Sequence, residues 1–188
     1  TLAYNDAWFG SVNANDSLIK AGYKLVADPS DPLHLAMLTP QNLLGDQDIY
    51  CLLTSDGGNT WSAPVRVNDD ATSNQVTQDL VWGGFDNDGD LVVTWRDRRN
   101  ATGSGYQVDS EIWGSVWWHD STGFEPNFRI SDTLATWNAV LTQSGNDFMC
   151  SEMVQDTLFA AWGDTRNGRL NIYFVKFDLR SLTPTTTH

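Results

Sequence analysis

Short runs rich in β-branched and aromatic residues recur along the chain, each cut off by Gly, Asp, Asn or Pro. Helical spacing of apolar positions is almost absent, so the pattern predicts strands joined by turns. The predicted strands are YKLVA (23–27), LHLAML (33–38), DIYCLLT (48–54), APVRV (63–67), LVWGGFD (80–86), LVVTW (91–95), EIWGSVWW (111–118), NFRIS (127–131), LFAAW (158–162) and NIYFVKF (171–177). This is an all-β pattern.

The runs are self-similar. LVVTWRDRRN at 91–100 matches LFAAWGDTRNG at 158–168, through Trp95-Asp97-Arg99-Asn100 and Trp162-Asp164-Arg166-Asn167. The strands that follow begin at 48, 111 and 171, with spacings 111 − 48 = 63 and 171 − 111 = 60. A repeat of this size with about four strands per unit has the dimensions of a β-propeller blade. The units run over 22–70, 77–132 and 146–178, the third with its last strand missing or rewritten. Residues 1–21, polar with Tyr4, Trp8 and Phe9, read as a remnant of a preceding blade. Residues 179–188 read as a linker or tail. Each blade has an apolar face that only a neighbouring blade buries. Closed propellers have about four to eight blades. Three therefore predict an incomplete ring, completed by further blades of a parent protein or by a second chain.

The segment TSDGGNTW supplies Thr54, Asp56, Gly58, Thr60 and Trp61 in Ser/Thr-x-Asp-x-Gly-x-Thr-Trp order. It resembles the Asp-box, or BNR repeat, of sialidase-like β-propellers. A decayed copy keeps Asp120, Gly123 and Phe124; the third unit lacks it. The chemistry of the motif is local. Gly58 takes a positive φ in a tight turn, Asp56 accepts backbone N–H groups and the Thr60 hydroxyl, and Trp61 re-enters the sheet. The resemblance implies a peripheral hairpin joining the third and fourth strands of a blade, so the motif sets shape. Sialidases of that family hold a substrate carboxylate with three arginines and use a Tyr–Glu nucleophile pair and an acid/base Asp. The Phe/Tyr-Arg-Ile-Pro motif of the first arginine is absent here. FRIS at 128–131 lies on the strand after the decayed box, and no Tyr–Glu pair is assignable. No catalytic residue is carried over.

Charge and composition narrow the functions. Among 188 residues, 11 Lys+Arg against 24 Asp+Glu give −13, which repels nucleic-acid backbones and anionic lipid. No apolar run is long enough for membrane insertion. Nine tryptophans suit packing between sheets and sugar stacking alike. Cys51 and Cys150 allow one disulfide or two buried free thiols, and no Cys/His spacing reads as a zinc site. Scarce lysine, abundant Trp, Asn, Thr and Gly and the Thr-rich end point to an extracellular, secreted or cell-surface setting; the sequons at Asn15 and Asn100 matter only in a glycosylating host.

Three features are candidates for chemistry. In WRDRRN and WGDTRN, Asp97 and Arg99, and Asp164 and Arg166, are two residues apart and pair on one face. Either they tie blade to blade, or Arg96, Arg99 and Arg166 form an anion or sugar site, since a guanidinium binds two carboxylate oxygens at once. Asp86, Asp88 and Asp90 have the alternation of a calcium loop, but Asp97 occupies the position of an EF-hand's final Glu, so an Asp-Gly hairpin is the competing reading. Trp113 and Trp117 fall on one strand face and Trp118 on the other, as core or as a stacking platform. The expected function is a non-catalytic module binding glycan or protein. A fragment of a sialidase-type exo-glycosidase and a structural subunit joined through open blade edges are the alternatives.

Overall fold

The computed structural model describes residues 22–143 and 148–187, with side chains to residue 182. The expectations for residues 1–21, including the Asn15 sequon, lie outside the described residues. The strands form three four-stranded antiparallel sheets, in chain order within each. The first holds β1 (Lys24–Ala27), β2 (Leu35–Gln41), β3 (Asp48–Thr54) and β4 (Val65–Arg66). The second holds β5 (Asp79–Phe85), β6 (Leu91–Asp97), β7 (Glu111–Trp117) and β8 (Phe128–Arg129). The third holds β9 (Met149–Val154), β10 (Thr157–Asp164), β11 (Asn171–Asp178) and β12 (Thr183–Thr187). A short helix, α1 (Ala139–Gln143), lies between the second and third sheets. These are partial propeller blades, as the repeat predicts.

Two strands depart from the sequence reading. β9 was not among the predicted runs. β12 falls in the stretch read as a tail, yet Thr183 pairs with Asp178 and Thr187 with Val175. The third unit therefore keeps its fourth strand. An outer strand is held mainly by its backbone ladder, so TPTTT pairs without an apolar pattern. The thiols also resolve: Cys51 is buried and free, and Cys150 is exposed and free.

The repeat builds the seams between sheets. Ala36, Leu38, Ile49 and Cys51 of the first sheet are covered by Val81 and Phe85 of β5. Val92, Ile112 and Val116 of the second sheet are covered by Met149 and Met153 of β9. Trp113 and Trp117 pack toward the first sheet and Trp118 toward the third, the alternation expected of one strand. Buried aliphatic side chains of this size each stabilise by about 1.5–3 kcal/mol.

Antiparallel order sorts the connections to two ends. The links from second to third strands, and from each outer strand to the next sheet, share one end. The first-to-second and third-to-fourth turns share the other. At that second end Asp56 organises the β3–β4 turn. Its carboxylate accepts the Thr60 N–H (2.9 Å), the Thr60 hydroxyl (2.6 Å) and the Thr54 hydroxyl (2.8 Å). Gly58 sits at φ +90°. The Thr60 bonds, with help from Thr54, hold the Asp56 carboxyl down at about 2. Every partner belongs to the turn itself, consistent with a role in shape.

Candidate functional site

At the first end, the two Trp-x-Asp-x-Arg units adopt one geometry. Asp97 accepts the Trp95 indole N–H (2.8 Å), the Arg99 backbone N–H (2.8 Å) and the Arg99 Nε and Nη2 groups (3.0 and 2.9 Å). Asp164 accepts the same groups from Trp162 (3.3 Å) and Arg166 (2.8, 2.9 and 2.6 Å). Each guanidinium then reaches the preceding sheet. Arg99 Nη1 donates to Asp69, after β4, at 2.7 Å, and Arg166 Nη1 donates to Asp132, after β8. The acceptors keep the repeat, since 132 − 69 = 63. Arg99 lies 4.1 Å from the Trp113 ring centre and Arg166 lies 4.2 Å from that of Tyr173. Burial pulls both guanidinium pKa values down, but the aspartates outweigh it and raise them. The unit ties one blade to the one before it. In the first sheet Thr39 and Gln41 stand at the Trp and Asp positions, by register against Tyr50 and Asp48.

Arg96 is placed elsewhere. Its Nε and Nη2 grip the two oxygens of buried Asp79 (2.7 and 2.5 Å), and Nη2 also donates to the Tyr106 hydroxyl (3.1 Å). Arg98 joins them: Nη1 donates to Asp79 (3.0 Å) and to the Thr77 carbonyl (2.9 Å), while Nε donates to the Tyr106 carbonyl (2.9 Å). Two guanidinium groups thus share one carboxylate. Burial would raise the Asp79 carboxyl, but the two arginines bring it down to about 2. The three arginines singled out in the sequence are held by different aspartates: Arg96 by Asp79, Arg99 by Asp97 and Asp69, Arg166 by Asp164 and Asp132. The void beside Arg96 is about 10 Å³, room for roughly one water. A sugar carboxylate does not fit there in this arrangement. Asp79, Arg98 and Tyr106 were missed from the sequence, although Arg98 sits inside the quoted WRDRRN.

At the second end, Asp86, Asp88 and Asp90 form the turn between β5 and β6. Asp86 accepts the Asp88 and Asp90 N–H groups (2.9 and 3.1 Å). The structure gathers Asp86 and Asp90 with Asp156, not Asp88, with their carboxylate oxygens within 4.8 Å of one another. Those three are the residues that could hold a cation. Arg180 already stands there, 3.6 Å from Asp90 and 3.1 Å from Asp156, and His119 donates its backbone N–H to Asp90 at 2.7 Å.

Beside this turn a cleft of about 400 Å³ opens between the first and second sheets. Its walls include Asp28, His34, Phe85, Asp88, Trp117 and His119. Buried Asp28 accepts the Ser30 N–H (2.8 Å) and hydroxyl (2.6 Å) and pairs with His34 Nδ1 (2.9 Å). Burial pushes the Asp28 carboxyl up, but these bonds win and lower it. His119 Nδ1 pairs with buried Asp90 at 2.7 Å, which raises the imidazole pKa. The His34 and Phe85 ring centroids are 4.9 Å apart. Gly89, at φ +85°, lets the two sheets approach: a Cβ there would lie 3.1 Å from Asp28 Oδ2. Carboxylates and imidazoles beside aromatic rings can accept sugar hydroxyls while the rings cover C–H faces. No Lys or Arg lines the cleft among the described residues.

The Asn100 sequon lies at the opposite end. Its amide donates to Glu111 at 2.7 Å, a bond that a glycan attached there would give up.

The chain matches no protein-family model and no curated protein. Among solved structures it is similar to the Hadza microbial sialidase Hz136, with TM-score 0.55 and 15% identity over 93% of this chain and 40% of that one. It is also similar to an α-L-arabinofuranosidase mutant from Fusarium graminearum solved with an iminosugar inhibitor, with TM-score 0.57 and 9% identity over 89% of this chain and 47% of that one. At these identities the likeness shows the fold, that of propeller glycosidases. The chain spans less than half of either structure.

Proposed function

We propose that the chain is a non-catalytic glycan-binding segment of a secreted or cell-surface propeller protein. The cleft between the first and second sheets takes a neutral or amine-bearing sugar. The observation that carries this reading is the lining of the cleft: aromatic rings beside Asp28, Asp31, Asp88 and two aspartate-paired imidazoles, with no lysine or arginine among the described residues. Sugar hydroxyls donate to such acceptors. An acidic sugar would meet several carboxylates and no arginine, and like charges repel in a low-dielectric cleft. The likeness to two glycosidases supports glycan as the ligand class.

A fragment of a sialidase-type exo-glycosidase is the second reading, favoured by the likeness to a sialidase. It predicts turnover of a fluorogenic sialoside, lost in folded Arg99→Ala or Arg166→Ala. The first reading predicts no turnover, and sugar binding that both variants retain. The deciding experiment is titration with a panel of neutral, amino and sialylated sugars, followed by tryptophan fluorescence, on the wild type and Trp117→Ala. Saturable binding of a neutral or amino sugar that Trp117→Ala loses supports the proposal. Binding of sialosides alone, or of no sugar, overturns it.

A further inference from the structure

Charge is divided unevenly between the two ends of the sheets. The turns at the second end, 28–34, 55–64, 86–90, 118–127, 155–156 and 179–182, carry nine carboxylates against one guanidinium, Arg180, and no lysine. The described connections at the first end, 42–47, 67–78, 98–110, 130–143 and 165–170, carry five carboxylates against four guanidinium groups. The balance is therefore 1 − 9 = −8 at the end that bears the cleft and 4 − 5 = −1 at the end that bears the arginine pairs.

The carboxylates also differ in their partners. At the first end Asp69 and Asp132 are bound by arginines, and Asp46 by three backbone N–H groups. The cleft is different. Asp31, from a turn of the first sheet, and Asp88, from a turn of the second, both line it and both are exposed. Asp31 Oδ1 accepts the Leu33 N–H (2.9 Å), and its Oδ2 takes no bond among the described residues. Asp88 gives its N–H to Asp86 (2.9 Å), while its carboxylate accepts no hydrogen bond among the described residues. The side chains of Asp120 and Glu125, exposed on the β7–β8 turn, accept none there either, so the excess runs on past the cleft. The one guanidinium is engaged: Arg180 lies 3.1 Å from Asp156, 3.6 Å from Asp90 and 3.6 Å from the Trp118 ring centre.

We propose, resting on the glycan reading of the cleft, that its ligand is a chain of amine-bearing sugars, with Asp31 and Asp88 holding the ammonium group of the sugar seated against Trp117. An ammonium has three N–H donors and no acceptor, so it fits carboxylates with unused oxygens. Bonds between two charged groups are about twice as strong as those between neutral ones. A neutral sugar offers the same oxygens hydroxyl donors alone. The rest of the chain passes over Asp120 and Glu125, where the summed field of this end attracts each further ammonium. A cationic peptide carries the same charge but no rigid ring face for Phe85 and Trp117 to cover, so the aromatic walls favour a sugar.

The test is calorimetric titration of the chain with glucose, N-acetylglucosamine, glucosamine and the β-1,4-linked glucosamine tetramer, at about pH 6.5, where amines of this type are charged. Glucosamine should bind about five- to thirty-fold tighter than glucose or N-acetylglucosamine, which lack the charge. The tetramer should bind at least about ten-fold tighter than glucosamine. Raising the salt from about 20 to about 300 mM should remove most of both margins, because screening shortens the reach of charge. Asp31→Asn and Asp88→Asn change exposed side chains and should leave the circular dichroism spectrum as it is. Each should weaken glucosamine about three-fold or more and leave glucose unchanged. If no sugar binds, or Trp117→Ala binds sugar like the wild type, the glycan reading of the cleft fails and this inference with it. If Trp117-dependent binding is equally tight for glucose and glucosamine, that reading stands and the amine inference is overturned. Indifference of glucosamine to both Asn variants, or a lysine tetrapeptide that binds as tightly as the sugar tetramer, overturns it as well.

Discussion

Asp79→Ala is the most demanding perturbation of the fold, because one buried carboxylate serves two buried guanidinium groups. Asp79 has no exposed surface, and its oxygens lie 2.5–3.0 Å from nitrogens of Arg96 and Arg98. Removing one partner of a buried ion pair costs about 3–5 kcal/mol, because the charge left behind stays desolvated. The titration of the group gives a separate estimate. A carboxyl at about 2 in the fold, against 3.8 ordinarily, corresponds to about 2–3 kcal/mol in favour of its charged form. Loss of the whole side chain should exceed that figure, so ~3–5 kcal/mol is expected, out of roughly 5–15 for a domain. With a urea slope of ~2 kcal/mol/M, the unfolding midpoint should fall by about 2 M at unchanged slope. The folded-state value is depressed, so this stability is present above about pH 4 and is lost as pH falls toward 2. Asp79→Ala should flatten that part of the acid limb. A midpoint within about 0.5 M of wild type, or an unchanged acid limb, would refute the reasoning.

Other expectations are more modest. Arg99→Ala and Arg166→Ala should each cost about 1–3 kcal/mol, because buried Asp97 and Asp164 lose a charged partner but keep an indole and a backbone donor. Their effects should add in the double variant, since they lie in different seams; strong non-additivity in urea titrations would argue against separate ties. Asp56→Ala should speed proteolytic cleavage within 54–61 while sugar affinity stays unchanged; equal cleavage rates would show that the turn holds without its carboxylate. Gly89→Ala should cost about 1–2 kcal/mol at a left-handed φ and weaken sugar binding by crowding Asp28; a variant as stable as wild type, with the same affinity, would contradict the described cleft.

Much of the architecture is legible in the sequence because its strands are short β-branched and aromatic runs bounded by turn residues. β6 and β10 are found that way, and their shared Trp-x-Asp-x-Arg exposes the repeat. β9 hides because Met149, Ser151 and Met153 face inward while Cys150, Glu152 and Val154 face out, so apolar and polar residues occur on both sides. β12 hides because backbone pairing needs no apolar pattern. The ion-pair reading of Asp97–Arg99 and Asp164–Arg166 follows from spacing alone; Asp69 and Asp132 as their second partners do not, being some 30 residues away in sequence. Asp79 meets Arg96 only through the β5–β6 register. The cleft is the least legible feature, since His34 and His119 come from turns of different sheets. His34 lies six residues from buried Asp28, a pattern too common to single out, and His119 meets Asp90 from 29 residues away.

The proposed sugar site lies in the cleft between the first two sheets and not at the arginine-bearing end. Indole N–H resonances in a nitrogen-15 correlation spectrum, followed while glucosamine is titrated in, read both ends at once. Binding in the cleft should give a saturable shift at Trp117 and none at Trp95 or Trp162, whose indoles are bonded to Asp97 and Asp164. Shifts at Trp95 or Trp162 with Trp117 unmoved would contradict it.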